Sequence, residues 1–123
     1  MFKADVINRI EATGAMAIVR TETIERGIEI AEGCLEGGVD VLEISYTLPN
    51  AGDVIKALSD KFGDKLLVGA GTVLDSETAR LAILAGAKFV IAPNFSKEVA
   101  RTCNRYQEPF GAGSLPVDWE ASH

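Results

Sequence analysis

The chain is nearly without histidine: the only one, His123, is the last residue, where most domains are least ordered. That excludes Ser-His-Asp and Cys-His nucleophilic catalysis and His-ligated zinc, all of which need a placed imidazole. Cysteine is almost as scarce. Cys34 and Cys103 stand far apart in helical patterns, belong to no CxxC pair or Cys/His cluster, and are read as plain thiols. Any catalysis has to use carboxylates, lysine, arginine or hydroxyls.

Long apolar runs are missing too, since no stretch approaches the ~18 residues of a membrane span. Positive charge is in deficit. Twelve Lys plus Arg against eighteen Asp plus Glu leave a net charge of −6, which disfavours nucleic acid and anionic membranes as general partners but still allows a local anion site. The start, "MFKADVINRIEATG", interleaves Asp5 and Glu11 with Val6, Ile7 and Ile10 and so lacks the basic, apolar and cleavage regions of a signal peptide. A cytoplasmic location is the expectation. At 123 residues and 47% hydrophobic, the chain can bury one core, yet it is well short of the roughly 250 residues of a closed (β/α)8 barrel.

What is present is a repeat. Four apolar, β-branched runs, "AMAIVR" (15–20), "VDVLEIS" (39–45), "KLLVGAG" (65–71) and "AKFVIAP" (87–93), recur about every 25 residues, the length of a strand plus a helix. Helical patterns lie between them. Ile24, Ile28, Ala31 and Leu35 mark one face, with Thr23 as cap and Gly37 or Gly38 as stop. Val54, Leu58 and Phe62 mark the next, and Leu81, Leu84 and Ala85 are placed to pack on a sheet. Val99, Cys103 and Tyr106 form the last stripe behind a Ser96 cap, and Phe2, Val6 and Ile10 predict a leading helix. The order α-βα-βα-βα-βα implies a parallel sheet covered by helices.

One strand carries an acid. Aligning "EGGVDVLEI" with "LAGAKFVIA" puts Glu43 where the fourth unit has Ile91, so Glu43 occupies an apolar slot. Alternation places Val41, Ser45 and Thr47 on its face and Leu42, Ile44 and Tyr46 towards the helices. The polar face lies towards the strand's C-terminal end, where active sites of α/β folds sit, together with Arg20, Thr72, Pro93 and Asn94 at the other strand ends. Two roles are open for Glu43: a structural carboxylate bridged to Arg20, or a general acid/base whose pKa is raised by burial.

Other motifs are weaker. "VGAGTV" fails as GxGxxG because the third glycine position is Leu74, so its small residues are read as giving close approach of strands and room beside Thr72. "EGGVD" is a helix stop rather than a phosphate cradle. The charged positions Glu22, Glu25, Arg26 and Glu29 are a solvated helix face, and no lysine stands near the middle or exit of a strand.

The runs "AIVR", "GGVDVLEISYTLPNA" and "LLVGAGTVLDSETARLAILAGAKFVIAPNF" resemble the bifunctional 2-keto-3-deoxy-6-phosphogluconate (KDPG) and 4-hydroxy-2-oxoglutarate (KHG) aldolases, collinearly from about residue 3 to residue 107. The resemblance implies a (β/α)8 barrel, usually a homotrimer, of which this chain holds the N-terminal half, (βα)4 plus a leading helix. It implies metal-free cleavage of a 2-oxo acid to pyruvate and an aldehyde through a lysine Schiff base. Glu43 falls on the family's proton shuttle, and Arg20, Thr47, Thr72 and Pro93 on or beside its substrate contacts. Leu48 and Pro49 stand where the family often has an arginine after the second strand, which leaves substrate preference open.

The family's Schiff-base lysine lies on a sixth strand and its phosphate-binding glycines beyond the seventh and eighth, none of which falls within these residues. Residues 108–123, "EPFGAGSLPVDWEASH", depart from the family and are expected to form an irregular tail, as in a truncated or frame-shifted reading. An active aldolase, an inactive fragment that binds 2-oxo acids, and a decarboxylase or isomerase on a related barrel all remain compatible with these residues. An open half barrel is expected to associate with itself.

Overall fold

Each apolar run becomes a strand, shorter than its hydrophobic stretch: β1 Ala17–Val19, β2 Val41–Ser45, β3 Leu67–Gly71 and β4 Val90–Ala92. Helix α1 (Lys3–Thr13) precedes β1, and α2 (Ile24–Glu36), α3 (Ala51–Phe62), α4 (Ser76–Ala85) and α5 (Lys97–Arg105) follow the four strands in turn. The structure is a computed structural model and describes residues 3–92, 97–106, 109–112 and 119–120. Strands β1 to β4 pair in chain order and all in parallel, with Ile18 against Glu43, Glu43 against Gly69, and Ala70 against Val90. This is the leading helix and (βα)4 architecture of half a (β/α)8 barrel.

The tail differs from the irregular segment expected. Phe110–Ala112 forms β5, parallel to β4, and Trp119–Glu120 forms β6, antiparallel to β5. Pro109 O accepts from Val90 N at 2.9 Å, so the free edge of β4 supplies the ladder. Three residues, "FGA", are too few to carry a periodic signal, which is why pattern alone misses them.

The sheet separates two cores, as alternation requires. Leu42, Ile44, Val68, Ala70 and Val90 face the helices and meet Ala31, Val54, Ile55, Leu58, Ala79 and Val99. Val41, Leu67, Phe89 and Ile91 face the other way and are capped by Val6 and Ile10 of α1. The leading helix thus closes one end of the inner face. Arg9 fastens it there, donating to Asp64 O at 2.8 Å, Lys65 O at 3.0 Å and Asp40 Oδ2 at 3.1 Å, while Thr13 Oγ1 donates to Asp40 Oδ1 at 2.8 Å. Partial burial opposes charge on Asp40, but these hydrogen bonds and the Arg9 guanidinium outweigh it and hold the carboxyl below its ordinary range.

Local signals explain the helix ends. Thr23 Oγ1 accepts from Arg26 N at 3.1 Å, Asp75 Oδ1 accepts from Thr78 N at 2.7 Å, and Gly37 ends α2. The charged face of α2 is solvated, with Arg26 and Glu29 paired at 3.2 Å. On α4 the expectation fails: Leu81 and Leu84 are each 59% exposed, and the buried residues are Ala79 and Ala82. Two alanines three apart let the helix lie close to the sheet, and the leucines, two residues further round, point away. Phe2 and Ser96 lie outside the described residues.

Glycine at 69 is a packing requirement. A Cβ there would collide with the ring of Phe89, the residue just before β4, whereas one at Gly33, on the outside of α2, would meet nothing within 4 Å. Gly69→Ala is therefore expected to destabilise the chain by about 1–3 kcal/mol through overpacking, and Gly33→Ala to stabilise it by about 0.5–1 kcal/mol. Urea unfolding of both variants checks this, and equal midpoints would contradict it.

Candidate active site at the end of the second strand

On the inner face of β2, polarity rises along the chain from Val41 to Glu43 to Ser45. Glu43 is only 7% exposed. Its space is made by the neighbouring strand: a Cβ at Gly71 would collide with the carboxyl carbon of Glu43. The two glycines of "VGAG" therefore have separate tasks, Gly69 admitting Phe89 and Gly71 admitting Glu43. Neither builds a phosphate cradle, and the room beside β3 is taken by the acid itself.

The bridge to Arg20 does not form. Arg20 is exposed just beyond β1, and among the described residues no ion pair joins it to Glu43. A guanidinium at an open strand end keeps its hydration, and stripping it to reach a buried carboxylate costs several kcal/mol. Burial is accordingly the cause that raises the Glu43 pKa, with no cation offsetting it. A carboxyl of this kind can lend and reclaim a proton nearer neutral pH than an exposed glutamate does.

Hydroxyls gather above it. Ser45 is buried, and its Oγ lies 3.0 Å from Oγ1 of exposed Thr47. Ser45 was legible as a companion of Glu43 from its spacing of two, although not as Thr47's partner. Thr72, directly after β3, has φ +57°, a left-handed conformation that a β-branched residue adopts at a cost of about 1–3 kcal/mol. Cross-strand bonds on both sides hold it: Tyr46 N donates to Gly71 O at 2.9 Å and Val73 N to Ile91 O at 3.1 Å. No residue type announces this strain, because threonine is not a left-handed former.

Around the same strand ends, Asn50 Nδ2 donates to Glu22 O at 2.7 Å, joining the loops after β1 and β2 beside a shallow cavity of about 290 Å³ lined by Glu22, Leu48, Pro49 and Asn50. Pro93 and Asn94 lie outside the described residues. None of the six lysines stands on a strand: they fall on α1, α3, α5 and two short turns. Among the described residues no three His, Cys, Asp or Glu side chains come together as a metal site.

A family profile described as KDPG and KHG aldolase matches residues 6–117. The chain belongs to the KDPG and KHG aldolase family. It is 32% identical over 108 residues to the 2-dehydro-3-deoxy-phosphogluconate aldolase of Treponema pallidum, covering 88% of this chain and 51% of that protein. Against the 2-dehydro-3-deoxy-6-phosphogalactonate aldolase of Escherichia coli, identity is 33% over 91 residues, covering 74% and 44%. The KDPG aldolase of Legionella pneumophila, solved with pyruvate captured as a covalent carbinolamine, superposes with a TM-score of 0.80 at 26% identity, covering 95% of this chain and 55% of that one. The chain spans about half the length of these aldolases, and the family match extends to residue 117, beyond the limit of about residue 107 expected from the motifs.

Because the raised pKa belongs to the folded state, Glu43 binds its proton more tightly folded than unfolded, so stability falls as pH rises from the unfolded value of about 4.3 through the folded one. Glu43→Gln, which stays neutral, is expected to gain stability relative to the parent as pH rises across that window and to show no such gain below about pH 4. Urea unfolding of both proteins from acid to neutral pH measures the difference, and a gap independent of pH would contradict the assignment.

Proposed function

We propose that this chain contributes the proton-shuttling half of a Schiff-base aldolase site that cleaves a 2-oxo acid, such as 2-keto-3-deoxy-6-phosphogluconate or 4-hydroxy-2-oxoglutarate, to pyruvate and an aldehyde. The observation that carries it is the buried carboxyl of Glu43 in the middle of β2, in a chain of the KDPG and KHG aldolase family. In such a reaction a lysine amine condenses with the 2-oxo carbonyl and water leaves, so the resulting iminium can accept electrons from the breaking C3–C4 bond. The C4 hydroxyl gives its proton to Glu43 as the aldehyde departs. Glu43 returns a proton as the pyruvyl enamine is quenched, and water then frees pyruvate from the lysine. Arg20, with its planar fork, is proposed to bind the substrate's carboxylate, and Thr47, Thr72 and Pro93 to line its polar side.

A second reading is favoured by one fact, that none of the six lysines stands on a strand. On that reading the chain binds 2-oxo acids without turning them over. Borohydride reduction in the presence of pyruvate, followed by intact-mass measurement, separates the two. One reduced pyruvyl group on a lysine, lost in Glu43→Gln, is the outcome for a complete aldolase site. No adduct, with pyruvate-induced NMR shifts confined to the neighbourhood of Glu43, is the outcome for binding alone, and the absence of both contradicts the proposal.

A further inference from the structure

We infer that, within the proposed aldolase site on which this rests, Asn50 is a positioning residue: its side-chain amide ties the loop that carries Arg20 to the loop that carries Thr47, and so sets how these two substrate contacts stand to one another. Residues 20–23 connect β1 to α2, and residues 46–50 connect β2 to α3. Between them Asn50 Nδ2 donates to the backbone oxygen of Glu22 at 2.7 Å. The amide cannot be turned round, because its oxygen would then face another acceptor at that distance. The tie joins consecutive βα units, which remain neighbours in a closed barrel.

The bond is made at the expense of two local ones. Asn50 immediately precedes α3, where an asparagine oxygen commonly caps the helix, yet its side chain makes no capping bond, whereas Thr23 and Asp75 make theirs before α2 and α4. Its Oδ1 is instead buried with no hydrogen-bond partner among the described residues. Forgoing a cap and burying an unpaired acceptor both cost stability, and native chains break such local rules chiefly at functional sites. Each loop is also braced within itself, so the tie transmits position. Buried Thr21 donates through Oγ1 to Thr23 O at 3.0 Å and accepts from Thr23 N at 3.4 Å, fixing the turn around Glu22. On the other side Tyr46 N donates to Gly71 O at 2.9 Å, Thr47 Oγ1 lies 3.0 Å from Ser45 Oγ, and Val54 N donates to Asn50 O at 3.1 Å. Packing does not duplicate the tie, because both loops border the shallow cavity lined by Glu22, Leu48, Pro49 and Asn50.

Backbone nitrogen-15 relaxation and a pyruvate titration followed by NMR, both on the full chain, test this role. Asn50→Asp keeps the shape of the side chain without the donor, and Asn50→Ala removes both. Each variant is expected to keep the circular dichroism of the parent and to lower the order parameters of Glu22 and Thr47 together, from the rigid range of about 0.85 to below about 0.6. Each is also expected to raise the pyruvate dissociation constant about fivefold, the scale of one hydrogen bond. Unchanged order parameters in both variants would overturn the inference. So would a loss in one variant only, since Asn50→Ala alone would make shape the cause and Asn50→Asp alone would make repulsion from the Glu22 carboxylate the cause. Looser loops with undiminished pyruvate affinity would overturn it as well. A parent that binds no pyruvate would count against the proposed function, and the tie between the loops would then be decided by the order parameters alone.

Discussion

The rest of the site depends on a carboxyl held between two strands with no cation beside it. Glu43 sits in a parallel sheet position that is otherwise apolar, and the solvation lost there is not returned by an ion pair among the described residues. A charge under those conditions costs several kcal/mol, and the group responds by holding its proton to higher pH. That response is what gives a glutamate a use in proton transfer. One neighbour follows from it: residue 71 has to be glycine because the carboxyl occupies the place of its side chain.

Below that level the inner face is filled by exchange of volume between strands. Phe89 on one side of β3 uses the space that Gly69 vacates, and Val41, Leu67 and Ile91 complete a layer that α1 covers. The Arg9, Asp40 and Thr13 contacts fix α1 against the N-terminal ends of β2 and β3. Apolar packing at one end and hydroxyls at the other give the face a polarity gradient with Glu43 at its boundary. A proton donor placed at such a boundary is shielded from bulk water on one side and open to a ligand on the other.

Much of this was legible from residue order. The 25-residue recurrence gave the four βα units, and alternation along "VDVLEIS" assigned Glu43 and Ser45 to one face and Leu42 and Ile44 to the other, as the two cores show. What escaped were effects of neighbours that pattern does not encode. Arg20 looked like a partner for Glu43 because a buried charge is normally bridged, but Glu43 lies in the middle of β2 and Arg20 is exposed beyond the end of β1. Leu81 and Leu84 looked like core because they are large, although Ala79 and Ala82 set the helix distance. The reason for Gly69 and Gly71 lies in the side chains of Phe89, just before β4, and Glu43 on β2, both distant in sequence.

The central claim is that burial alone, without a compensating cation, sets the protonation of Glu43. Its most direct test is a titration of the side-chain carboxyl followed by carbon-13 NMR, with Arg20→Gln as companion. The account predicts a midpoint above the ordinary glutamate value of about 4.3, unchanged when Arg20 is neutralised. A midpoint at or below that value, or one that rises on loss of Arg20, would contradict it.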